Sequence, residues 1–365
     1  MARWGRGLPG VLATLLVLLG VWGCARGGPD DPVLVVYSAG PRSLADAVTE
    51  AFAEEYGVRV ELFAATTGQV MARLEAERYR PRADVVVFAS RVAAEALREG
   101  DRLLAYPSPE WLQQTRTEWH DPDGYFHSTS AALVGMAFGG SDGGELGDPD
   151  AQGEPVVPGD PDWPEVFGGG GTHRLTLPAP SRSGAAGDFV VAYTLREGES
   201  AWDGYLAARR AGLEISAANS QAISGLLVGA YDGIVGAVDY LIFGQIAGGA
   251  ALRMHYPPSG SALVERPIAI LADTPVPDLA RDFVDFYFSE ASQARVAAVH
   301  LLPARTDIPS SEERIAALPD DPERLSDGLP PLIQVDPAEA LREQTRILRR
   351  FQLEIERAEV PRSPR

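Results

Sequence analysis

Residues 33–105 read VLVVYSAGPRSLADAVTEAFAEEYGVRVELFAATTGQVMARLEAERYRPRADVVVFASRVAAEALREGDRLLA, and this stretch decides the fold. Three times, an apolar run rich in β-branched residues is followed by a polar turn and then by apolar residues at helical spacing. Strands joined by helices in this way run parallel, so the stretch predicts a parallel sheet flanked by helices. The predicted strands are Val33–Tyr37, Val58–Ala64 and Ala83–Phe88, and the predicted helices are Leu44–Phe52, Val70–Glu77 and Val92–Arg98.

The three strand-to-helix turns form the first part of a candidate binding site. In a parallel sheet they meet at one edge, where α/β proteins bind their ligands. Small and hydroxyl-bearing residues there lie at helix N-termini, whose free N–H groups and positive dipole ends attract anions. The alternative is that the hydroxyls only cap the helices, but three such turns in register favour a ligand site. The candidate residues in these turns are Ser38, Gly40, Thr66, Thr67, Ser90 and Arg91.

A second series of strand and helix signals lies between residues 171 and 256. Its turns, at residues 181–184, 219–220 and 239–240, are expected to face those of the first series. Two α/β lobes whose turns oppose each other across a cleft are typical of proteins that close on a small solute. The candidate residues of the second lobe are Ser181, Arg182, Ser183, Asp239 and Tyr240.

The N-terminus has the pattern of an export signal. Arg3 and Arg6 precede an apolar core at Val11–Leu19, which is too short to span a membrane comfortably and favours a cleaved segment. The core leads to Cys24, the only cysteine of the chain, in a Val-Trp-Gly-Cys sequence that resembles a bacterial lipobox. We therefore predict a lipoprotein signal peptide at 1–23, a tether at 24–32 and a lipid anchor on Cys24. The alternative is an ordinary signal peptide that happens to contain a cysteine.

Composition excludes several classes of function. The 32 basic residues are all arginine, which excludes lysine Schiff-base chemistry and the P-loop lysine. A net charge of −19 argues against nucleic acid as a partner, because phosphate contacts need basic surface. No GxSxG, HExxH or glycine-rich phosphate loop is present, and the five histidines are scattered outside the candidate turns. We expect a binding protein without catalysis, cofactor or resident metal.

Several segments together resemble the extracellular solute-binding proteins that serve ABC importers, and in particular the branch of ferric-ion-binding and organophosphate-binding proteins. The resemblance covers about residues 33 to 355 and rests on the order and spacing of these segments: VLVVYSAG, TTGQVMARLEAE, RADVVVFAS, PSRSGAAGDFVVAYTL, NSQAISGLLVGAYDG, VDYLIFGQIAGG and ARDFVDFYFSEASQ. It implies a type II periplasmic-binding-protein fold. Two lobes, each a mainly parallel sheet flanked by helices, would close on a solute and deliver it to a membrane permease.

The resemblance also implies a division of the chain. Lobe 1 is expected to comprise residues 33–133 and about 262–305, and lobe 2 residues 134–261, with a Gly- and Pro-rich loop or insertion at 139–171. Residues 306–365 would form a C-terminal crossing segment and helix. We expect a monomer, exported and lipid-anchored to the bacterial cell membrane, facing the periplasm or cell exterior.

The iron ligands of the ferric branch are missing at the matching positions. That branch uses a His in the first turn, an acid in the third and two adjacent tyrosines, which suit hard Fe³⁺. Here the positions hold Pro41-Arg42, Ser90-Arg91 and Leu241-Ile242, and Tyr240 is displaced and alone. Arginine in place of an acid favours an anion, because guanidinium pairs with phosphate or carboxylate.

The expected solute is therefore a small organic anion of the sugar phosphate or phosphonate type. Arg91 and Arg182 would bind the anion, unless they are only surface charges, and Asp239 would accept hydrogen bonds from hydroxyl or ammonium groups, unless it only caps a helix. Two alternatives remain open: a ferric-iron receptor of an importer, and a receptor that reports its ligand to a membrane kinase.

Overall fold

The computed structural model describes residues 32–107, 109–139, 161–168 and 173–358. The predicted signal peptide, Cys24, the tether up to residue 31 and most of the 139–171 segment lie outside the described residues. Within the described ranges, no helix is long and apolar enough to cross a membrane.

The first three strand–helix units form as the sequence predicts. Helix α1 ends at Gly57, which takes the left-handed conformation (φ 66°) that glycine adopts without strain. Helix α2 begins with a capping box in which Thr66 and Gln69 satisfy each other's backbone N–H groups. The elements are β1 (Val33–Ser38), α1 (Arg42–Tyr56), β2 (Arg59–Ala64), α2 (Thr67–Ala76), β3 (Val85–Val87) and α3 (Arg91–Glu99).

The second series also forms, and the prediction of parallel strands is confirmed in both halves. Strands β1, β2 and β3 are parallel, and so are the three neighbouring strands of the second half. The second series consists of β6 (Leu175–Pro178), α5 (Gly184–Glu197), α6 (Glu199–Arg210), β7 (Glu214–Ser216), α7 (Asn219–Leu227), β8 (Gly233–Val238) and α8 (Asp239–Ala247).

Two long strands connect the halves into one continuous sheet, whereas the sequence suggested a separate sheet for each lobe. They are β5 (His127–Gly139) and β10 (Ala262–Leu271), which are antiparallel to each other. The sheet order is β2-β1-β3-β10-β5-β8-β6-β7. We refer to β5 and β10 as the crossing strands, because any movement of one half against the other must bend them.

Both crossing strands pair irregularly. Glu265 faces Ala131 and Pro267 faces Ser128, so β5 advances three residues where β10 advances two, with Arg266 at the irregularity. Between β5 and β8 the extra residue is Gly236, whose φ of 76° suits a bulge position that favours glycine. The sheet is therefore interrupted near the point where its two halves meet.

The remaining elements cover the sheet and join the halves. Helix α12 begins after the cap Asp336 and packs against α5 of the second half and α3 of the first. These elements are β4 (Leu103–Leu104), 3-10 turns at Glu110–Gln114, Thr117–Trp119 and Pro322–Arg324, α4 (Trp163–Phe167), β9 (Leu252–His255), α9 (Pro277–Tyr287), α10 (Glu290–Ala298), β11 (Leu302–Pro303), α11 (Glu312–Ala316), α12 (Pro337–Phe351) and a π-helical turn at Gln352–Glu356.

Candidate functional site

A cleft of about 680 Å³ separates the helix N-termini of the two halves. On the first side lie the starts of α2 and α3, and on the other the starts of α5 and α8. The carboxyl ends of the parallel strands aim these starts at one another, as expected for α/β sheets. The structure thus brings most of the predicted turn residues to one place. Those that line the cleft are Gly40, Thr66, Thr67, Ser90, Ser181, Arg182, Ser183 and Tyr240.

On the first side, the hydroxyl groups are engaged in local contacts. Thr66 Oγ1 accepts from the N–H of Gln69 (3.3 Å), and Thr67 Oγ1 accepts from the N–H of Ala89 (3.3 Å). These contacts fix the turns, but only Thr66 caps its helix, since Thr67 holds the following turn and Ser90 makes no side-chain cap. The N–H groups of Thr67 and Gly68 have no hydrogen bond to any described residue and remain available to a ligand.

On the second side, the start of α5 has the same construction. Ser183 Oγ caps the helix by accepting from the N–H of Ala186 (3.2 Å), while the N–H groups of Gly184 and Ala185 have no bonding partner among the described residues. Ser181 donates from both its N–H and its hydroxyl to Glu356. Arg182 is exposed.

Ser38 does not line the cleft, although the sequence places it at a strand end. Its side chain is buried (3% exposed), and its hydroxyl accepts from the N–H of Gly40 (3.2 Å). Ser38 therefore shapes the first turn from behind the cleft surface.

Arg91 is also outside the cleft, contrary to the sequence-based expectation. Its guanidinium pairs with Glu265 (3.1 Å) and with Glu95 (3.4 Å), and it borders an adjoining cavity of about 170 Å³ that shares Val92, Asp188 and Gln344 with the cleft. The Glu265 carboxylate raises the pKa of Arg91 despite its burial. An arginine held by two carboxylates is not free to bind a solute anion, so the role predicted for Arg91 is wrong.

Asp239 is the second correction. It is fully buried, and its Oδ2 accepts from Arg314, from the hydroxyl of Tyr256 (3.0 Å) and from the N–H of Leu133 (3.0 Å). The position at the end of β8 suggested an accessible carboxylate, but Arg314 of α11 covers it. Asp239 therefore anchors α11 to the second half and does not face a solute.

Two charged residues that the sequence analysis missed do line the cleft. Arg266 of β10 is 4% exposed, and its guanidinium carbon lies 5.2 Å from the centroid of the Tyr240 ring. Asp188 of α5 is half-buried and accepts a hydrogen bond from the hydroxyl of Ser90 (3.2 Å), which links the two sides of the cleft.

Burial raises the pKa of Asp188 to about 7, with a further increase from Glu265 that Ser90 and Arg266 oppose. A carboxyl whose pKa is raised by partial burial in a cleft is typical of a functional position.

Helix α12 supplies the remaining wall of the cleft. Its residues Leu341, Gln344, Thr345 and Leu348 contribute a mixed apolar and amide surface. The sequence predicted a C-terminal amphipathic helix but gave no indication that this helix reaches the cleft.

The arrangement is suited to binding an anion. Unpaired backbone N–H groups, helix dipoles and a guanidinium converge on one space that the halves of the molecule enclose. Among the cleft residues that the structure describes, Tyr240 is the only one with a phenol. In the described ranges, no three His, Cys, Asp or Glu side chains are grouped to hold a metal ion.

Comparisons with solved structures show the same fold. Iron-bound HitA from Pseudomonas aeruginosa superposes with a TM-score of 0.69 at 20% identity, covering 87% of this chain and 98% of HitA. AfuA from Actinobacillus pleuropneumoniae, with exogenous fructose-6-phosphate bound, gives 0.72 at 19% identity, covering 89% and 99%. A ferric binding protein from Campylobacter jejuni gives 0.70 at 15% identity, covering 87% and 98%. The resemblance to the ferric-binding and sugar-phosphate-binding branch is thus confirmed at the level of fold.

The family assignment rests on sequence. No curated protein sequence matches significantly. A family model described as bacterial extracellular solute-binding protein matches residues 33–299, which include both halves of the sheet and the crossing strands. Together with the type II fold and the cleft between helix N-termini, this match shows that the chain belongs to the bacterial extracellular solute-binding proteins, the binding components of ABC importers.

Proposed function

We propose that this protein is the lipid-anchored binding component of an ABC importer for a small anionic organic solute, of the sugar phosphate or phosphonate type. The observation that carries the proposal is the convergence of the α2, α3 and α5 N-termini with the buried Arg266 on one cleft. Each of these groups favours negative charge on a ligand.

The charges of the cleft residues support an anion over a cation. Of the described residues, two arginines, Arg182 and Arg266, line the cleft, and Asp188 is the only acidic residue that does so. The surrounding protein carries a net charge of −19, so the cleft differs in sign from the molecule as a whole. A cation would find one carboxylate among the described cleft residues, opposed by the positive ends of the helices that start there.

The size of the cleft supports a small organic molecule. Its volume of about 680 Å³ lies within the range of roughly 300–1,000 Å³ that is usual for small-molecule sites. The related structure of AfuA is described with fructose-6-phosphate bound, which makes this compound a suitable probe.

Closure is proposed to bring the two sides together around the solute. Residues 33–133 with about 262–305 would move as one lobe against 134–261, by bending of β5 and β10 near their pairing irregularities. The C-terminal segment from residue 306 would follow through α12, which contacts both sides.

Calorimetric titration of the purified protein tests the solute class. We expect fructose 6-phosphate or 2-aminoethylphosphonate to bind with micromolar or tighter affinity, because several charge-assisted hydrogen bonds contribute about 1.5–3 kcal/mol each. Ferric citrate should give no stoichiometric charge-transfer complex, since the described cleft residues offer neither a pair of tyrosines nor a group of three His, Cys, Asp or Glu side chains to hold the ion. A coloured, stoichiometric iron complex in a protein that ignores both phosphorus compounds would overturn the proposal in favour of iron.

The lipid anchor is tested by replacing Cys24 with Ser. Because Cys24 is the only thiol in the chain, the variant is expected to incorporate no labelled palmitate and to leave the membrane fraction. Solute binding should be unchanged, since the cleft is built from residues far along the chain. Continued labelling and membrane partition of Cys24→Ser would show that the anchor lies elsewhere.

A further inference from the structure

Among the arginines that the structure describes, Arg266 stands out because it is buried and its guanidinium has no hydrogen-bonding partner there. It lies on the crossing strand β10 at the point where the register with β5 shifts. The residue is 4% exposed, and its Nε is buried with no hydrogen-bond partner. Its guanidinium makes no hydrogen bond or ion pair with any described residue. It lies against the face of the Tyr240 ring and near the buried phenol of Tyr287, whose pKa it lowers against the effect of burial.

Such an arrangement is costly for the free protein. A guanidinium has five N–H donors, and burying it without an acceptor loses hydration that the ring face of Tyr240 replaces only in part. By contrast, the half-buried Arg91 and the buried Arg314 each have carboxylate partners. The cost at Arg266 is understandable if its partner is a ligand that arrives in the cleft.

Asp188 lies in the same wall of the cleft but does not neutralise Arg266. No ion pair within 4.0 Å joins them, although Arg266 is near enough to lower the pKa of Asp188 against the effect of burial. Ser90 occupies Oδ1 of Asp188, while Oδ2 has no hydrogen bond within the described ranges. The other charged neighbours are Glu265 of β10 and, through its ion pair with Glu265, Arg91 of α3.

We propose that Arg266 binds the anionic group of the solute and that Asp188 restricts this group to oxyanions that carry a proton. This inference rests on the proposed function and names two residues that would contact the anionic group of the solute. Arg266 would donate its N–H groups to the anion, together with the N–H groups at the helix starts. Asp188 would accept the remaining hydrogen through its free Oδ2.

The pair therefore discriminates between two kinds of tetrahedral anion. Inorganic phosphate still carries a proton at pH 8 and can donate it to an ionised Asp188. A phosphate monoester, whose second pKa is about 6, or a phosphonate can do so only in its monoprotonated form. Sulfate and sulfonate groups have only acceptors, and they would face the carboxylate without a hydrogen between the two oxygens. Binding of sulfate or sulfonate is then weakened by electrostatic repulsion from Asp188 and by the carboxylate oxygen that stays without a hydrogen bond.

The anion-binding part is tested with Arg266→Met and Arg266→Lys, and with Arg59→Met as the control. Arg59 is an exposed arginine at the start of β2, at the opposite end of the strand from the cleft. Titration with fructose 6-phosphate and inorganic phosphate is expected to show about 10- to 100-fold weaker binding for Arg266→Met. Arg266→Lys should fall between wild type and Met, because it keeps the charge but not the planar fork. Arg59→Met should bind like wild type.

Urea unfolding of the same free proteins provides the readout that separates a ligand-binding role from a structural one. Since Arg266 has no polar partner in the described structure, its replacement by Met is expected to leave the unfolding midpoint unchanged or raised. A variant that loses binding and is also clearly destabilised, with Lys behaving like Met, would assign Arg266 a structural role and overturn the inference.

Selectivity tests the role of Asp188. At pH 8 wild type is expected to bind inorganic phosphate, which still carries a proton, at least about tenfold more tightly than sulfate, and Asp188→Asn should reduce this ratio to near one, because an amide can donate to either anion. At pH 5.5 wild type should also accept sulfate better, since a protonated Asp188 can donate. A wild type that binds both anions equally at pH 8 contradicts this part.

Binding by the wild type tests the solute class, and binding by Arg266→Met tests the role of Arg266. If wild type binds no phosphorus compound, the solute class is wrong and the inference falls with it. If wild type binds them and Arg266→Met binds within threefold of it, the solute class stands and the role of Arg266 is wrong.

Discussion

Replacing Arg314 by Met is expected to lower the free energy of unfolding by about 3–5 kcal/mol, because the buried Asp239 would keep its charge without its cationic partner. The two side chains are 2% and 0% exposed, and water cannot replace the lost contact. Arg314 also donates to the backbone oxygen of His300 (2.8 Å), so α11 would lose its attachment at two points. Urea-induced unfolding, followed by far-UV circular dichroism, measures the change.

The double variant Arg314→Met/Asp239→Asn separates the ion pair from simple loss of packing. It should be less destabilised than the sum of the two single variants, because neither charge is left alone. The exposed pair Arg346–Glu343 offers a control, and Arg346→Met is expected to change stability by no more than about 1 kcal/mol. Additive losses in the double variant would contradict the assignment of a coupled buried pair.

Trp163→Ala is expected to cost about 3–5 kcal/mol, the usual range for removing a large buried aromatic side chain. Trp163 is fully buried in the short helix α4, where its ring lies 4.5 Å from that of Phe189. Its indole N–H donates to the backbone oxygen of Gly260 (2.7 Å), so α4 is tied to the segment between β9 and β10. The measurement is the unfolding free energy in urea.

Two further variants show how much of the loss at Trp163 comes from its hydrogen bond and how much from its buried ring. Trp163→Phe retains an aromatic ring but leaves the Gly260 oxygen unpaired, so we expect an intermediate loss of about 1–3 kcal/mol. Tyr79, at 94% exposure, provides a large aromatic residue without packing, and Tyr79→Ala should stay within about 0.5 kcal/mol of wild type. A loss below about 1 kcal/mol for Trp163→Ala would mean that α4 does not contribute to the stability of the fold.

The sequence was sufficient to predict the strand–helix units because their signals are local. The apolar run at β1, the stop at Gly57 and the capping pattern at Thr66 each act over a few residues. The parallel order within each half follows from these units, and with it the meeting of their turns at a cleft. The fusion of the halves by β5 and β10 was not predictable, since it depends on which distant strands pair.

The charged site residues were predicted poorly for the same reason. Asp239 looked accessible because its partner Arg314 is 75 residues away in the chain, and Arg91 looked free because Glu265 is 174 residues away. Arg266 was missed because it lies inside a strand, without the turn or helix start that marked the other candidates. The neighbouring Pro267 was the one available signal, since proline within a central strand often marks an irregular position.

The place of β10 in the sheet also determines the order in which this protein can fold. Strand β3 cannot be paired on its second edge until Ile268, far along the chain, reaches Val87. Until then the apolar edge of β3 is open to pairing with other chains, and closing so large a loop is slow, with folding times of milliseconds to seconds or longer. Newly made chains therefore pass through a period of exposure to aggregation that the equilibrium stability does not reveal. Substitutions in β10 are therefore expected to lower the yield of native protein before they lower its equilibrium stability.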